Sequence, residues 1–293
     1  MERRQLEYFL AVVEHGGFTA AANALHVAQP SLSHAIRTLE RELGGSLFHR
    51  LPHGAVLTSA GMALVGPARQ VLRDLSTASS SVREVLGLSG GQLDIVSQTT
   101  LAVDPLAGIL GRFHVAHPKV GVRVVDPERG SEVVRMVGTG QCELGLVDGS
   151  VSISDLRCVE LPEQEMHVVL PPDHPHPNTD AVTLRELAEL DLIVTPPGTA
   201  TRDTLEEVCA AHDVVPRIVV QTAHRAMIVP LVLAGVGAAL LPTSMAADAA
   251  LRGARMLSTR PRLLRRGRLV WRSGPLSPAA QAFVSLAVPS AQG

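Results

Sequence analysis

Residues 17–44 run Gly17-Phe18-Thr19-Ala20-Ala21-Ala22-Asn23-Ala24-Leu25-His26-Val27-Ala28-Gln29-Pro30-Ser31-Leu32-Ser33-His34-Ala35-Ile36-Arg37-Thr38-Leu39-Glu40-Arg41-Glu42-Leu43-Gly44. Their spacing decides the fold of the amino-terminal part. Thr19 is placed to N-cap a helix over 20–25, and the run Ala20-Ala21-Ala22 lets a second helix approach closely. Pro30 falls in the first turn of the next helix, where its missing N–H costs nothing. That helix extends to about Glu42, with Leu32, Ile36 and Leu39 facing inward, and Gly44-Gly45 stops it. Upstream, Leu6, Phe9, Leu10 and Val13 give a third helix one apolar stripe, ended by Gly16-Gly17. Downstream, residues 46–50 and 55–58 flank Pro52-His53-Gly54 and predict a two-stranded wing. The sum is a winged helix-turn-helix over 1–58.

With Leu32, Ile36 and Leu39 inside, the outer face of the third helix presents Ser31, Ser33, His34, Arg37 and Thr38. All can donate hydrogen bonds to base edges or phosphates. Gln29 starts that helix, where a recognition helix reaches the bases and where an amide suits adenine. Arg37, further along the same helix, reaches guanine or the backbone. Thr19 offers a phosphate anchor at a helix start, and Arg50 and His53 extend the set onto the wing.

From Leu64 the positions Ala68, Val71, Leu75, Ala78, Val82 and Val85 step by threes and fours, a heptad seam in a helix over 59–88 that points to pairing of two copies. Pro67 predicts a kink or a late start. Beyond Gly90, short apolar runs alternate with helical patterns, so the remainder is α/β. Strands are expected at 91–96, 121–126 and 142–147, with helices from Thr100 to about His117 and over 131–138. The pattern resumes with strands at 166–170, 192–195, 218–220 and 238–241 and helices over 202–212 and 223–234. Two α/β halves of this kind form a hinged, two-lobe binding domain. Ligands then sit beyond the strand ends, between the lobes. The junctions nearest such a cleft supply Ser97, Thr99, Thr100, Ser131, Gly198, Thr199, Thr201 and His224, hydroxyls and helix-start N–H groups suited to a carboxylate or other small anion.

The residues also spell a family. Gly17-Phe18-Thr19-Ala20-Ala21-Ala22, Leu25-His26-Val27-Ala28-Gln29-Pro30-Ser31-Leu32-Ser33, Ile36 through Gly44, Leu47-Phe48-His49-Arg50 and Leu57-Thr58-Ser59-Ala60-Gly61 resemble the LysR-type transcriptional regulators, almost continuously from residue 5 to 61. The resemblance continues more loosely through 113–118, Leu170-Pro171-Pro172-Asp173-His174-Pro175, residues 233–238 and Leu276-Ser277-Pro278. It implies a periplasmic-binding-protein-like effector domain over 89–293, with lobe I at about 89–162 and 265–293 and lobe II at about 163–264. It also implies double-stranded DNA as partner, RNA polymerase contact, a small-molecule effector, and a homodimer or homotetramer formed through the linker helix. In that family Gln29, Pro30, Ser33 and residue 34 lie at the DNA surface. Position 34 is commonly Arg and is His34 here, and the wing carries fewer arginines than usual.

Composition narrows the alternatives. The 293 residues are 46% hydrophobic and 18% charged, enough for packed cores and against wholesale disorder. Aromatics at 2% argue against base-stacking platforms. The net charge of −2 splits into +1 over 1–88 (8 Arg against 7 acidic residues) and −3 over 89–293 (18 basic against 21), so it excludes no DNA partner. It does predict modest nonspecific affinity and a shallow salt slope. The apolar run 226–241, broken by Pro230, Gly235 and Gly237, is too short for a membrane span. No charged-then-apolar leader opens the chain, and Cys142, Cys158 and Cys209 show no pairing motif, pointing to a reducing cytoplasm. His174 and His176 lack partners at metal-ligand spacing. The arginines at 260, 262, 265, 266, 268 and 272 are expected on a solvated strand face or a subunit contact. No cofactor and no catalytic constellation is expected. The rival readings are a solute-binding protein and an α/β enzyme with an accessory helix-turn-helix.

Overall fold

The computed structural model describes residues 1–51, 54–85, 91–175 and 180–288. The chain divides into two compact units, the first built on residues 1–90 and the second on most of the remainder.

In the first unit, α1 (Arg3–His15), α2 (Phe18–Ala24) and α3 (Gln29–Leu43) bury the expected stripes, and Leu32, Ile36 and Leu39 are fully enclosed. Gly16 and Gly44 end α1 and α3 in the left-handed conformation. The helix-turn-helix corner places His26 at φ 53°, a strained angle for a residue with a Cβ. Strands β1 (Phe48–Leu51) and β2 (Gly54–Leu57) pair antiparallel, Phe48 opposite Leu57. Phe48 packs on Phe9 at 5.4 Å and edge-on to Phe18 at 5.5 Å, so one wing residue seals two helices. Gly54 holds the hairpin against the α1–α2 corner. It has φ 143°, a Cβ there would lie 2.7 Å from the Gly16 carbonyl oxygen, and the next N–H, of Ala55, donates to that oxygen at 3.0 Å.

Helix α4 (Ser59–Val85) follows, its start fixed by the motif Thr58-Ser59-Ala60-Gly61. The Thr58 hydroxyl accepts from the Gly61 N–H at 3.0 Å and donates to the Ser46 carbonyl at 2.7 Å. Pro67 lies inside the helix, and α4 starts well before it. The predicted seam divides in two. Ala68 is buried in the core of the first unit, with Leu64, Val65 and Leu72 packed against the same cluster. Only Val71, Leu75, Ala78 and Val82 form an exposed apolar row, and the Val85 side chain lies outside the described residues.

The second unit holds β3 (Gly91–Ser97), α5 (Thr99–Leu101), α6 (Ala107–Ala116), β4 (Val120–Val125), α7 (Gly130–Gly138), β5 (Leu144–Asp148), β6 (Leu156–Glu160) and β7 (Gln164–Leu170). Next come β8 (Ala181–Thr183), α8 (Leu184–Glu189), β9 (Leu192–Val194), α9 (Ala200–Ala211), β10 (Ile218–Gln221), α10 (Ile228–Leu233), β11 (Ala239–Pro242), α11 (Thr243–Leu251), β12 (Arg255–Arg265), β13 (Gly267–Arg272) and α12 (Pro278–Ala287). The single helix expected from Thr100 to His117 is broken instead. Pro105 forces the residue before it out of the helical region, and Asp104 is extended at φ −150°, ψ 122°. The helix expected over 223–234 likewise opens as a tighter turn at Arg225–Met227 before α10.

Five strands form one sheet in the order β4-β3-β5-β13-β6, with β3 parallel to β4 and to β5. A second sheet, β11-β7-β12-β8, lies beside the parallel pair β9–β10. The second half therefore departs from the expected repeat, since β11 and β12 both run antiparallel to β7. The chain leaves the first sheet after β6 and returns to it with β13, which inserts between β5 and β6. At the crossing, the Leu161 N–H donates to the Gly267 carbonyl at 2.8 Å. Two adjacent connections between two sheets are the layout of a hinge.

Candidate functional site

On the first two turns of α3 the exposed residues are Pro30, Ser31, His34 and Arg37, a stripe at three- and four-residue steps, and exposure resumes at the helix end with Arg41, Glu42 and Leu43. Thr38 is half-buried and its hydroxyl accepts from Arg41 at 3.0 Å. Ser33 departs from expectation. It is 3% exposed, and its hydroxyl accepts from the Gln29 amide at 2.9 Å. Position 33 lies one residue from the stripe centre at Leu32 and one turn before Arg37, so it falls at the edge of the buried face. Ser33 therefore holds Gln29 in place and does not itself face outward.

Thr19 is also corrected. Gly17 is the N-cap of α2 and Thr19 is the second helical residue, its side chain exposed. Arg50 lies in β1 opposite Ala55, with its side chain outside the described residues, and His53 lies outside them altogether.

In the second unit, a pocket enclosing about 500 Å³ with its open mouth lies at the carboxyl end of β9. Its walls come from Leu192 and Val194 of β9, Leu205 of α9, Ile228 of α10, Leu240 of β11 and Met245 of α11. Its polar residues are Thr100, Thr195, Thr201, Arg202 and Arg225. Of the residues expected at the cleft, the pocket brings together Thr100 and Thr201. Ser97 is fully buried, its hydroxyl turned to the Gln98 carbonyl at 3.1 Å. Thr99 donates to the Asp126 carboxylate at 2.6–2.7 Å. Thr199 is buried, bonded to Thr195 and to the Pro196 carbonyl, and Gly198, at φ 82°, donates to Asp203. Ser131 and His224 are exposed, and neither lines this pocket.

Arg202 and Arg225 had no separate signal in the sequence. Arg202 follows the first two residues of α9, and its Nε pairs with Glu206 one turn later, which by pattern alone is an ordinary surface pair. Its side chain is only 10% exposed, and its Nη1 has no hydrogen-bond partner among the described residues. The Thr201 hydroxyl beside it is likewise buried and unpartnered. Burial raises the carboxyl pKa of the neighbouring Asp203 above the usual range, against the opposing hydrogen bond from Gly198.

The basic stretch also proves heterogeneous. Arg260, Arg262 and Arg266 are exposed, the last two paired with Glu165 and Glu163. Arg265 is 2% exposed, which overturns its assignment to a solvated face. Its guanidinium donates to the Thr100 hydroxyl at 2.6 Å and to the Gln164 side-chain oxygen, and its Nε stands 4.0 Å from Asp148 Oδ2. Gln164 in turn donates to the Asp104 carbonyl at 2.7 Å. Burial pulls the Arg265 pKa down, while Asp148 and Asp104 hold it up. Thr100 and Asp148 belong to the first sheet's side and Gln164 opens β7, so Arg265 clips the hinge from within.

The strand order also bears on the cysteines. Because β13 lies between β5 and β6, Cys158 is two strand spacings from β5, about 9–10 Å. That is too far for a direct bridge to the buried Cys142 just before β5. Among the described residues no helix is long and apolar enough to cross a membrane, and no group of three or more potential ligands could hold a metal.

Comparison with known proteins returns two family models. One, the bacterial regulatory helix-turn-helix protein of the lysR family, matches residues 3–62, and the other, the LysR substrate binding domain, matches residues 87–292. The HTH-type transcriptional regulator ShiR of Corynebacterium glutamicum is 33% identical over 82% of either chain. Two solved structures share the fold at 23% identity. One is full-length OxyR from Pseudomonas aeruginosa (TM-score 0.77, covering 98% of this chain and 93% of that one). The other is full-length CbnR in complex with its target DNA (TM-score 0.70, covering 98% and 99%).

Proposed function

Because the chain belongs to the LysR family of DNA-binding transcriptional regulators with an effector-binding domain, we propose that it binds a partly palindromic operator as a homodimer or homotetramer. In this reading a small molecule held between the lobes changes subunit geometry, and with it the DNA bend or contact with RNA polymerase. The observation that carries the DNA reading is the exposed stripe Pro30, Ser31, His34 and Arg37, beside a Gln29 already held by Ser33. Arg37 and Gln29 address the bases. Ser31, Thr38 and Thr19 address the backbone, joined by Arg50 and His53 on the wing.

The exposed row Val71, Leu75, Ala78 and Val82 supports pairing through α4. Its spacing of four, three and four is that of a two-stranded seam. Two copies so joined present two recognition helices to half-sites about one helical turn apart. The protein acts by binding and not by catalysis, in the cytoplasm, without a cofactor. A gel-shift titration against the intergenic DNA beside its own gene tests this. Salt-sensitive, sequence-preferring binding is the expected result, and binding that is equal for all sequences overturns the reading.

A further inference from the structure

We infer that the effector pocket takes a small monoanion, a carboxylate on a compact apolar body, with Arg202 as the residue that selects its charge. The inference rests on reading the second unit as an effector-binding domain. Three observations carry it. First, Arg202 is nine-tenths buried and lines the pocket; its Nε is engaged by Glu206 at 2.5 Å, yet its Nη1 is buried without a partner among the described residues. A buried guanidinium N–H without an acceptor is costly, and a carboxylate oxygen is the acceptor whose geometry matches it. Second, the Thr201 hydroxyl next to it is also buried and unpartnered, so two donors on the first turn of α9 await an acceptor. The positive end of that twelve-residue helix favours the same sign of charge.

The third observation limits the ligand. Glu206 offsets one positive charge and half-buried Asp203 lies next in sequence, so Arg202 and Arg225 leave room for one negative charge and disfavour two or three. Most of the lining is apolar, with the side chains of Leu192, Val194, Leu205, Ile228, Leu240 and Met245 offering hydroxyl groups no partner. A polyhydroxylated acid would leave its hydroxyls unsatisfied there, whereas an alkyl or ring carbon skeleton fits.

The test is calorimetric titration of the full-length protein with hexanoate and cyclohexanecarboxylate, and with hexanamide, gluconate and citrate as contrasts. Expected is binding of the two acids, with hexanamide weaker by about tenfold or more, as the loss of a charge-assisted hydrogen bond predicts. Gluconate and citrate give no heat. Arg202→Gln should weaken hexanoate by a similar factor. Glu206→Gln, which frees the arginine without removing it, should bind hexanoate as tightly as the parent or more tightly, and this variant keeps the test valid if Arg202→Gln fails to fold. Equal affinity for hexanoate and hexanamide, unchanged affinity in Arg202→Gln, weaker affinity in Glu206→Gln, tighter binding of gluconate or citrate, or no binding by either acid at millimolar concentration each overturns the assignment. Gel shifts on the same preparations separate the two readings. Sequence-preferring DNA binding without carboxylate binding overturns the ligand class alone, and carboxylate binding without sequence-preferring DNA binding overturns the regulator reading alone.

Discussion

Replacing Arg265 with methionine keeps most of the side-chain length and removes the charge that clips the hinge. The guanidinium makes two hydrogen bonds, to Thr100 and Gln164, and faces the buried Asp148 carboxylate at 4.0 Å. In Arg265→Met the Gln164 oxygen loses its donor and Asp148 stays buried, its Oδ1 still held by Ser150 and its Oδ2 facing no cation. Removing one member of a buried pair destabilises by about 3–5 kcal/mol. The arginine itself pays a burial penalty, visible in its lowered pKa, and the variant is relieved of it, which places the expected value near the lower end, about 3 kcal/mol.

Trp271, the sole tryptophan of the chain, lies in β13 directly after the crossing and reports this region. Urea unfolding followed by its fluorescence should shift the midpoint down by about 1 M or more, given slopes of about 1–3 kcal/mol per molar. Asp148→Asn on the Arg265→Met background should restore part of the loss, with a coupling of about 0.5–3 kcal/mol between the two positions. A midpoint shift below about 0.3 M, or strict additivity of the two substitutions, refutes the assignment of Arg265 as the hinge clip.

Three further outcomes are expected. Ser33→Ala, although buried, should lower specific DNA affinity through release of Gln29, so that Ser33→Ala and Gln29→Ala together cost little more than either alone; Arg37→Ala should cost about 1–3 kcal/mol independently, all read by gel-shift titration. Leu75→Lys with Val82→Lys should leave the fold intact, because both side chains are exposed within one chain, while sedimentation shows dissociation into monomers if α4 pairs through this row. His167 is buried in β7 beside Thr243, and burial lowers its pKa below the ordinary 6.5 against the pull of Glu165. Below about pH 6.5 the unfolded chain takes a proton that the folded chain refuses, so this residue's contribution to stability falls as pH falls. His167→Gln should lose less stability than the parent on going from about pH 7.5 to 5, measured as the difference between their urea midpoints.

The first unit was largely legible because its decisive signals are local. Gly16 and Gly44 end helices within one or two residues of their sequence signals, and Leu32, Ile36 and Leu39 find their core through a single helical period. Ser33 failed at a border that period alone cannot draw, because the deciding contact is a side-chain bond to Gln29 on the same helix. Ala68 failed for a different reason. A heptad pattern records that a face is apolar and not which surface covers it, and α4 changes partners along its length, from its own core at Leu64–Leu72 to an open row from Val71.

In the second unit the β3–α–β4–α–β5 run was legible because each strand pairs with a near neighbour in sequence. Strand β12 was not, since Leu257 pairs with Val168 some 90 positions earlier and its arginines suggest solvent. The burial of Arg265 depends on Gln164 and Thr100, about 100 and 165 positions away, and no periodicity carries that. The residues that escaped local reading are the charged ones placed at the pocket and the hinge, Arg202 and Arg265. A sequence satisfied by its own fold would put neither of them inside, because a buried guanidinium is destabilising unless something engages it. In Arg265 that engagement comes from both lobes at once, and in Arg202 one N–H remains open to a ligand. Thr100 lines the pocket and also accepts from Arg265, so a ligand that draws on its hydroxyl acts directly on the bond that fixes the hinge.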